Sequence, residues 1–231
     1  MNSLYICGDI HGNVEDLVWT LAIKNNLHDV SVIVVGDFGV GFGEPGSMKT
    51  TYNNIIDRLE KYNIELYTIR GNHDNPEWFD GKHNFPRLTF LEDHKQIEIC
   101  GKSIYPIGGA TSIDRLDRIK QNAEWEKRGS AKKCYWAGES VVKKKDNLPV
   151  KVDILLSHEA PLTFEPVLVR NQGENLNIYE DILSDRKYLD YVLGEVNIGK
   201  WFFGHYHKSY TGFIGEMMYR CLSESELCEV C

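Results

Sequence analysis

Short apolar runs alternate with amphipathic stretches in the first part of the chain. Residues 4–7 form the first run, and residues 14–25 carry apolar side chains at helical spacing. Residues 30–35 form a second run, rich in β-branched side chains and typical of a strand covered on both faces. Residues 48–62 predict a second helix, and residues 64–69 predict a third strand. This order predicts strand–helix units that build a parallel sheet.

The pattern changes in the second half of the chain. Residues 97–107 and 210–222 each predict a hairpin, while residues 153–156 and 201–203 are again short apolar runs that predict strands. The sequence contains no internal repeat and no low-complexity linker. With 231 residues it stays below the size of about 250–300 residues at which chains split into domains. We therefore predict an α/β fold with mixed sheets and outer helices, in a single domain over residues 1–231.

Composition and charge narrow the classes of partner. The chain is 42% hydrophobic and 26% charged, as in ordinary globular proteins, and its net charge of −8 argues against general binding of nucleic acid or anionic membranes. Residues 114–151 nevertheless hold eleven basic against six acidic side chains, which could form a basic rim for nucleotides or an oligonucleotide. No apolar run reaches the roughly 18 residues of a membrane span. Because the first polar motif begins at Gly8, no signal peptide fits before it, and we expect a cytoplasmic protein.

The six cysteines do not resemble a disulfide framework in a chain of this length. We expect reduced thiols that pack as small apolar side chains. Cys221, Cys228 and Cys231 crowd the end of the sequence, and the sequence leaves their role open, with zinc binding or redox chemistry as alternatives.

Aspartate, asparagine and histidine residues follow five of the predicted strands. In open α/β sheets, ligands bind beyond the carboxyl ends of the strands, so these residues can converge although they are far apart in sequence. Carboxylate, imidazole and amide oxygen are the ligands that divalent transition metals use. If the segments are extended, the two residues of each D-x-H or H-x-H pair point to the same side. The candidate residues are Asp9, His11, Asp37, Asn72, His73, Asp74, His158, His205 and His207.

The order of these motifs resembles that of the calcineurin-like metallophosphoesterase superfamily, whose pattern is D-x-H, G-D, G-N-H-[DE], H and G-H-x-H. The match spans residues 8–207. The resemblance implies a four-layer αββα sandwich with two mixed β-sheets flanked by helices. It also implies two metal sites: Asp9, His11 and His207 in the first, Asn72, His158 and His205 in the second, with Asp37 bridging both.

Two such cations would hold a shared hydroxide and neutralise phosphoryl oxygens during in-line displacement. The expected activity is therefore metal-dependent hydrolysis of a phosphoester by a metal-bound hydroxide, with manganese favoured over iron, zinc, cobalt and nickel. His73 would be the catalytic histidine, donating a proton to the leaving oxygen or stabilising the phosphoryl group. We expect Asp74 to orient His73.

The substrate class is less sharply defined. The Gly36-Asp37 motif lacks the second aspartate and the arginine of the protein phosphatase and diadenosine tetraphosphatase branch, which favours small phosphomonoesters, phosphodiesters or nucleotides. The alternatives are a manganese-dependent nuclease, a hydrolase of that first branch, and a non-catalytic scaffold with this fold. Gly108 and Gly109 precede Arg115 and Arg118, two candidate contacts for substrate phosphate. No obligate protein partner and no membrane partner is indicated.

Overall fold

The computed structural model describes residues 3–164 and 176–230. Within these ranges, strands and helices alternate up to residue 68 as the sequence pattern predicts, and most of the later elements are strands. The strands are β1 (Ser3–Cys7), β2 (Val30–Val34), β3 (Ile64–Thr68), β4 (Leu88–Phe90), β5 (Ile97–Ile99), β6 (Lys102–Ile107), β7 (Lys151–Ser157), β8 (Asn197–Phe203), β9 (Tyr210–Ile214), β10 (Met217–Cys221) and β11 (Leu227–Glu229). The α-helices are α1 (Val14–Trp19), α2 (Ser47–Lys61), α3 (Arg115–Lys127) and α4 (Leu176–Glu195).

Two mixed sheets form the centre of the fold. The first has the strand order β11-β1-β2-β3-β4, and the second has the order β5-β6-β7-β8-β10-β9. β1 to β4 are parallel to one another, as are β6, β7, β8 and β10, while β11, β5 and β9 run antiparallel at the edges. The antiparallel edges make both sheets mixed.

Three apolar clusters lie between the layers and pack them against one another. One joins the facing sides of the two sheets, with Leu4 and Ile33 on the first sheet and Ile154 and Phe202 on the second. Another packs α1 and α2 on the outer face of the first sheet, and the third packs α4 on the outer face of the second. Because each sheet has one face on the other sheet and one face on helices, the order of layers is αββα. The predicted α/β four-layer sandwich is confirmed.

Some helices differ from those that the sequence pattern predicted. The helix predicted over residues 14–25 is α1 followed by a π-helical turn at Thr20–Lys24. Helix α3 was not predicted, since none of its residues is buried and apolar periodicity is therefore weak. Neither was α4, which begins directly after residues outside the described part of the chain.

The parallel strands bring their carboxyl ends to one edge of the sandwich. β1, β2 and β3 end just before three of the candidate motifs, and β7 and β8 end just before the other two. No helix in residues 3–164 or 176–230 has the length and apolar character of a membrane span.

Candidate metal centre

The first group of candidate ligands joins the loop after β1 to the loop after β8. Nε2 of His11 lies 3.1 Å from Nε2 of His207, and Nε2 of His207 lies 3.4 Å from Oδ2 of Asp9. Asp9 is fully buried, whereas His207 is partly exposed. One donor atom from each of the three residues lies within 4.8 Å of the other two, which is close enough to share one cation.

The second group centres on the buried ring of His158. Its Nε2 lies 2.9 Å from Oδ1 of Asn72 and 3.3 Å from Oδ1 of Asp37. The ring of His205 packs edge-on against it, with ring centroids 5.0 Å apart. These residues come from strand ends in both sheets, so this group also connects the two sheets.

Asp37 lies between the two groups. Its Oδ1 faces His158, while its Oδ2 lies 3.7 Å from Nδ1 of His11 and 3.8 Å from Nε2 of His73. The carboxylate is almost fully buried. One oxygen of Asp37 therefore faces the second group. The other faces Nδ1 of His11 and Nε2 of His73, whereas the nitrogen of His11 that lies next to His207 is Nε2.

The distances within these groups fit divalent cations. Ligand atoms bonded at about 2.1 Å to one cation and at right angles to each other lie about 3 Å apart. The separations of 2.9 Å, 3.1 Å, 3.3 Å and 3.4 Å between facing donor atoms agree with this spacing. The donor set of carboxylates, imidazoles and an amide oxygen suits first-row transition metals. This spacing therefore fits divalent cations for six of the candidate ligands: Asp9, His11, Asp37, Asn72, His158 and His207. For the seventh, His205, Nε2 lies 3.9 Å from Oε2 of Glu159.

Partners outside the ligand set orient two of the imidazole rings. Nδ1 of His158 lies 2.8 Å from the carbonyl oxygen of Val35, and Nδ1 of His207 lies 2.9 Å from Oε1 of Glu224. A ring nitrogen that donates to such an acceptor leaves the opposite Nε2 free to bind a cation. In both residues that Nε2 faces the other candidate ligands.

Burial and neighbouring charges shift the pKa values of the two histidines in the second group in opposite directions. Burial alone would lower the pKa of His158, but the Asp37 and Asp9 carboxylates outweigh it and raise the pKa to about 10. Burial, reinforced by the neighbouring His158, lowers the pKa of His205 to about 3. Burial opposes ionisation of Asp37, yet the rings of His158 and His73 hold its pKa below the usual range. Asp37 is therefore an anion at neutral pH.

Two glycines allow the backbone to approach the buried carboxylates. A Cβ on Gly204 would lie 2.0 Å from Oδ1 of Asp9, and a Cβ on Gly71 would lie 2.1 Å from Oδ1 of Asp37. No side chain can occupy such positions without displacing the carboxylate. Both glycines are therefore required by the site itself.

The expected extended backbone at the D-x-H and H-x-H pairs is wrong. His11, His205 and His207 have φ of 45°, 67° and 50°, in the left-handed region. Asp37, with φ of 50°, shares this conformation. The rings thus reach the site through tight turns, whose conformation strand alternation does not describe.

His73 lies beside the metal ligands and contacts Arg118. A guanidinium nitrogen of Arg118 forms a short hydrogen bond to Nε2 of His73, and the ring of Phe42 stacks on His73 with centroids 5.5 Å apart. Burial lowers the pKa of His73 to about 4; Arg118 adds to this effect, and Asp37 opposes it. His73 is therefore neutral at pH 7 until an added negative charge raises its pKa.

Two cavities adjoin His73. The first, of about 260 Å³, opens onto Asp37, Asn72, His205 and His207, and the second, of about 300 Å³, lies against His11 and Phe42. The wall of the first cavity also includes two apolar, three basic, two acidic and one phenolic side chain: Ile113, Ile182, Arg118, Arg186, Lys208, Asp114, Glu159 and Tyr206. Apolar side chains and charged side chains of both signs therefore line this cavity.

Comparison with known families decides the class of this site. The family model described as calcineurin-like phosphoesterase matches residues 3–209. The chain belongs to the calcineurin-like phosphoesterase family. This match confirms the family that the motifs predicted. Membership of this family supports the interpretation that the chain is a hydrolase of phosphoesters.

Two solved structures match the chain at low sequence identity. Phosphopantetheinyl hydrolase from Mycobacterium tuberculosis matches with a TM-score of 0.51 and 12% identity, over 99% of this chain and 95% of that one. An archaeal phosphodiesterase matches with a TM-score of 0.41 and 13% identity, over 99% of this chain and 98% of that one. At this identity the first likeness is evidence for the fold alone.

In this phosphoesterase chain, the buried carboxylate of Asp74 bonds to the backbone, and its expected role in orienting His73 stays a prediction. Each oxygen of its buried carboxylate accepts two backbone N–H groups. The donors are Gly39 and Val40 to Oδ1, at 2.6 Å and 3.0 Å, and Phe38 and Gly71 to Oδ2, at 3.2 Å and 2.8 Å. Asp74 therefore fixes the loop after β2 to the loop after β3, and its contacts are with backbone rather than with the His73 ring.

The two candidate arginines differ in their surroundings. Arg118 lines the first cavity, where its Nη1 is buried without a hydrogen-bond partner. Arg115 instead pairs with Glu139 at 2.7 Å and with Asp181 at 2.5 Å, and it does not line either cavity. Carboxylates thus already pair with the guanidinium of Arg115, and its contact with substrate phosphate stays a prediction.

None of the cysteines among the described residues is one of the candidate metal ligands. Those of the described residues are free thiols. Burial, together with the charge of Asp9, raises the pKa of Cys221 to about 12, which keeps it protonated and disfavours a role as a zinc ligand. Cys228 lies in β11 and is half-buried, while Cys231 is outside the described residues.

Three residues at the site were missed by sequence reasoning. Glu224 lies beside His207 in the loop between β10 and β11, and Ser112 and Glu139 lie behind Asn72. None of them follows one of the five strands that drew attention, and a lone serine or glutamate is too common to stand out. The only signal was the polar segment after Gly109, which was interpreted as a substrate contact.

Proposed function

We propose that the chain hydrolyses small phosphomonoesters or phosphodiesters, nucleotides among them, with two divalent cations held by the seven candidate ligands. The observation that carries this proposal is the position of Asp37, whose two oxygens face separate groups of donors at 3.3 Å and 3.7 Å. A buried carboxylate shared in this way suits a pair of cations roughly 3.5–4 Å apart.

Each ligand then has a defined place. The proposed sets are Asp9, His11 and His207 for the first cation, and Asn72, His158 and His205 for the second, with Asp37 contacting both. When bound, the cations would activate the water nucleophile and offset the negative charge of the phosphoryl oxygens. Manganese is the favoured metal, with iron, zinc, cobalt and nickel as alternatives.

His73 and Arg118 are the proposed partners of the phosphoryl group. Both line the first cavity next to Asp37 and Asn72. The guanidinium supplies fixed positive charge and donors for phosphoryl oxygens. The negative charge of a bound phosphoryl group would raise the pKa of His73, so that its ring can carry a proton to the leaving oxygen.

The proposed function is tested by measuring hydrolysis in the presence of each cation. The chain stripped of metal should gain activity on 4-nitrophenyl phosphate, bis(4-nitrophenyl) phosphate, cyclic nucleotides or short oligonucleotides when manganese or another of the five metals is added. Asp37→Asn should abolish this gain, since it removes the shared charge. Asp153→Asn, the same change at an exposed position on β7, is the matched control. Binding of two cations without hydrolysis of any phosphoester would overturn the proposal.

A preference for diesters is favoured by the second cavity. A diester has two organic substituents, and cavities lie on both sides of His73. We expect Phe42→Ala to reduce hydrolysis of bis(4-nitrophenyl) phosphate more than that of 4-nitrophenyl phosphate, because Phe42 lines only the second cavity. Phe213→Ala, at an exposed position on β9, is the control. Equal losses on both substrates would leave monoesters as the better assignment, and cleavage of single-stranded oligonucleotides would extend the diester assignment to a nuclease.

A further inference from the structure

A buried line of hydrogen bonds runs outward from the proposed second cation site. Nδ2 of Asn72 donates to Oγ of Ser112 at 2.8 Å, and Oγ of Ser112 donates to Oε2 of Glu139 at 2.5 Å. Asn72, Ser112 and Glu139 are 2%, 1% and 0% exposed, so water does not compete for these bonds. The three residues come from separate segments of the chain.

The direction of each bond follows from the number of protons available. Oε1 of Glu139 accepts from the backbone N–H of Ser112 at 3.1 Å and from Nε of Arg115 at 2.7 Å. An ionised carboxylate only accepts, so the hydroxyl proton of Ser112 must go to Oε2. Oγ of Ser112 then has only lone pairs left for Asn72. It can therefore pair with the amide NH₂ group and not with the amide oxygen.

This constraint decides which end of the Asn72 amide faces the metal centre. With its NH₂ group on Ser112, Asn72 directs Oδ1 towards Nε2 of His158, at 2.9 Å. A reversed amide would present N–H groups to a cation, which binds oxygen and repels such donors. We propose that Glu139 and Ser112 are positioning residues that hold the amide oxygen of Asn72 in place as a ligand of the second cation.

This inference rests on the proposed function. It also explains two features that the proposed function does not explain. One is the segment after Gly109, in which Thr111 bonds Asp185 at 2.9 Å and Ser112 bonds Asn72. The other is Arg115. Burial raises the pKa of Glu139, and the contact with Arg115 opposes this rise and favours the charged carboxylate. Arg115 thus acts on the metal centre through Glu139.

Ser112→Ala tests the proposal against a matched control. Ser140→Ala removes another hydroxyl of the same network, which bonds Thr111 and Arg115 but does not contact Asn72. Binding of manganese to metal-stripped protein is measured by calorimetry and by electron paramagnetic resonance, which resolve the first and second cation. Asn72→Ala removes this ligand completely and shows how much the affinity for the second cation then falls.

We expect Ser112→Ala to weaken the second cation by about 10- to 100-fold, the usual range for removal of such a supporting contact, and to leave the first unchanged. Ser112→Thr, which keeps the hydroxyl, should restore binding, and Ser140→Ala should bind as the unaltered chain does. If Ser112→Ala does not fold, Glu139→Gln replaces it, because its amide can donate to Ser112 and permit the reversed orientation of Asn72.

Unchanged affinity for the second cation in Ser112→Ala, or in Glu139→Gln where that variant is used, would overturn the inference while leaving the proposed function intact. Equal weakening of both cations would also overturn it, since that result indicates general loss of structure. Failure of the unaltered chain to bind a second cation would instead contradict the proposed function itself.

Discussion

At the residue scale, the donor atoms of the metal centre are fixed by contacts outside the ligand set. Val35 orients His158, Glu224 orients His207, and Ser112 orients Asn72. The candidate ligands could be selected from motif order because each follows a strand, and their binding of cations stays a prediction. Their supporting contacts could not, because they join segments up to 123 positions apart and depend on tertiary packing. The left-handed backbone of the candidate histidine ligands could not be predicted either, because strand alternation assumes an extended backbone.

The raised pKa of His158 predicts that cation binding at the second site is coupled to proton release. In the chain alone His158 holds its proton up to about pH 10, above its usual value, whereas His205 is already neutral above about pH 3. A cation binds only neutral imidazole, so affinity should rise about tenfold per pH unit through neutrality. Calorimetry in buffers of different ionisation enthalpy should detect about one proton released at pH 7 for the second cation. No proton release would contradict this assignment.

His73→Ala tests whether His73 is a proton donor or a ligand. The variant should bind the cations as before and slow turnover by about 10²- to 10⁴-fold, the scale of general acid catalysis. The loss should be larger for alkyl phosphoesters than for nitrophenyl phosphoesters, because nitrophenolate leaves without protonation. Steady-state rates on both substrates give the answer. Equal losses would favour electrostatic stabilisation of the phosphoryl group, and loss of a cation would make His73 a ligand.

At the element scale, the buried carboxylate of Asp74 connects the loop after β2 to the loop after β3. Strands β1 to β3 could be predicted because apolar runs with β-branched residues have few alternatives. Helix α3 escaped prediction because it buries none of its residues. Yet α3 carries Arg115 and Arg118, and the segment before it carries Ser112, so an element without an apolar signature supports the metal centre.

Asp74→Asn tests the structural role of the carboxylate between these two loops. An amide NH₂ would face backbone N–H groups that now donate to the carboxylate, leaving buried donors unpaired. We expect a loss of about 2–4 kcal/mol in the free energy of unfolding, measured with urea. Asp80→Asn, which changes an exposed aspartate, should have little effect. Unchanged stability together with reduced turnover would favour the interpretation that Asp74 acts on His73.

At the scale of the whole molecule, the candidate ligands of the proposed metal centre come from both sheets. Asp9, Asp37 and Asn72 follow strands of the first sheet, and His158 and His205 follow strands of the second. The sandwich and the family could be predicted because five ordered motifs fall at the ends of parallel strands. That residues 1–231 form a single domain stays a prediction. Cations bound between the sheets should stabilise the folded chain, since they bind it in preference to the unfolded chain.

The number of cations bound per chain tests the central claim most directly. Metal-stripped protein equilibrated with manganese and freed of excess should contain two ions per chain by elemental analysis. Asp37→Ala should retain at most one, since it removes the carboxylate that faces both groups of ligands. A chain that binds fewer than two ions of every one of the five metals, or an Asp37→Ala variant that keeps both, would contradict the two-cation centre.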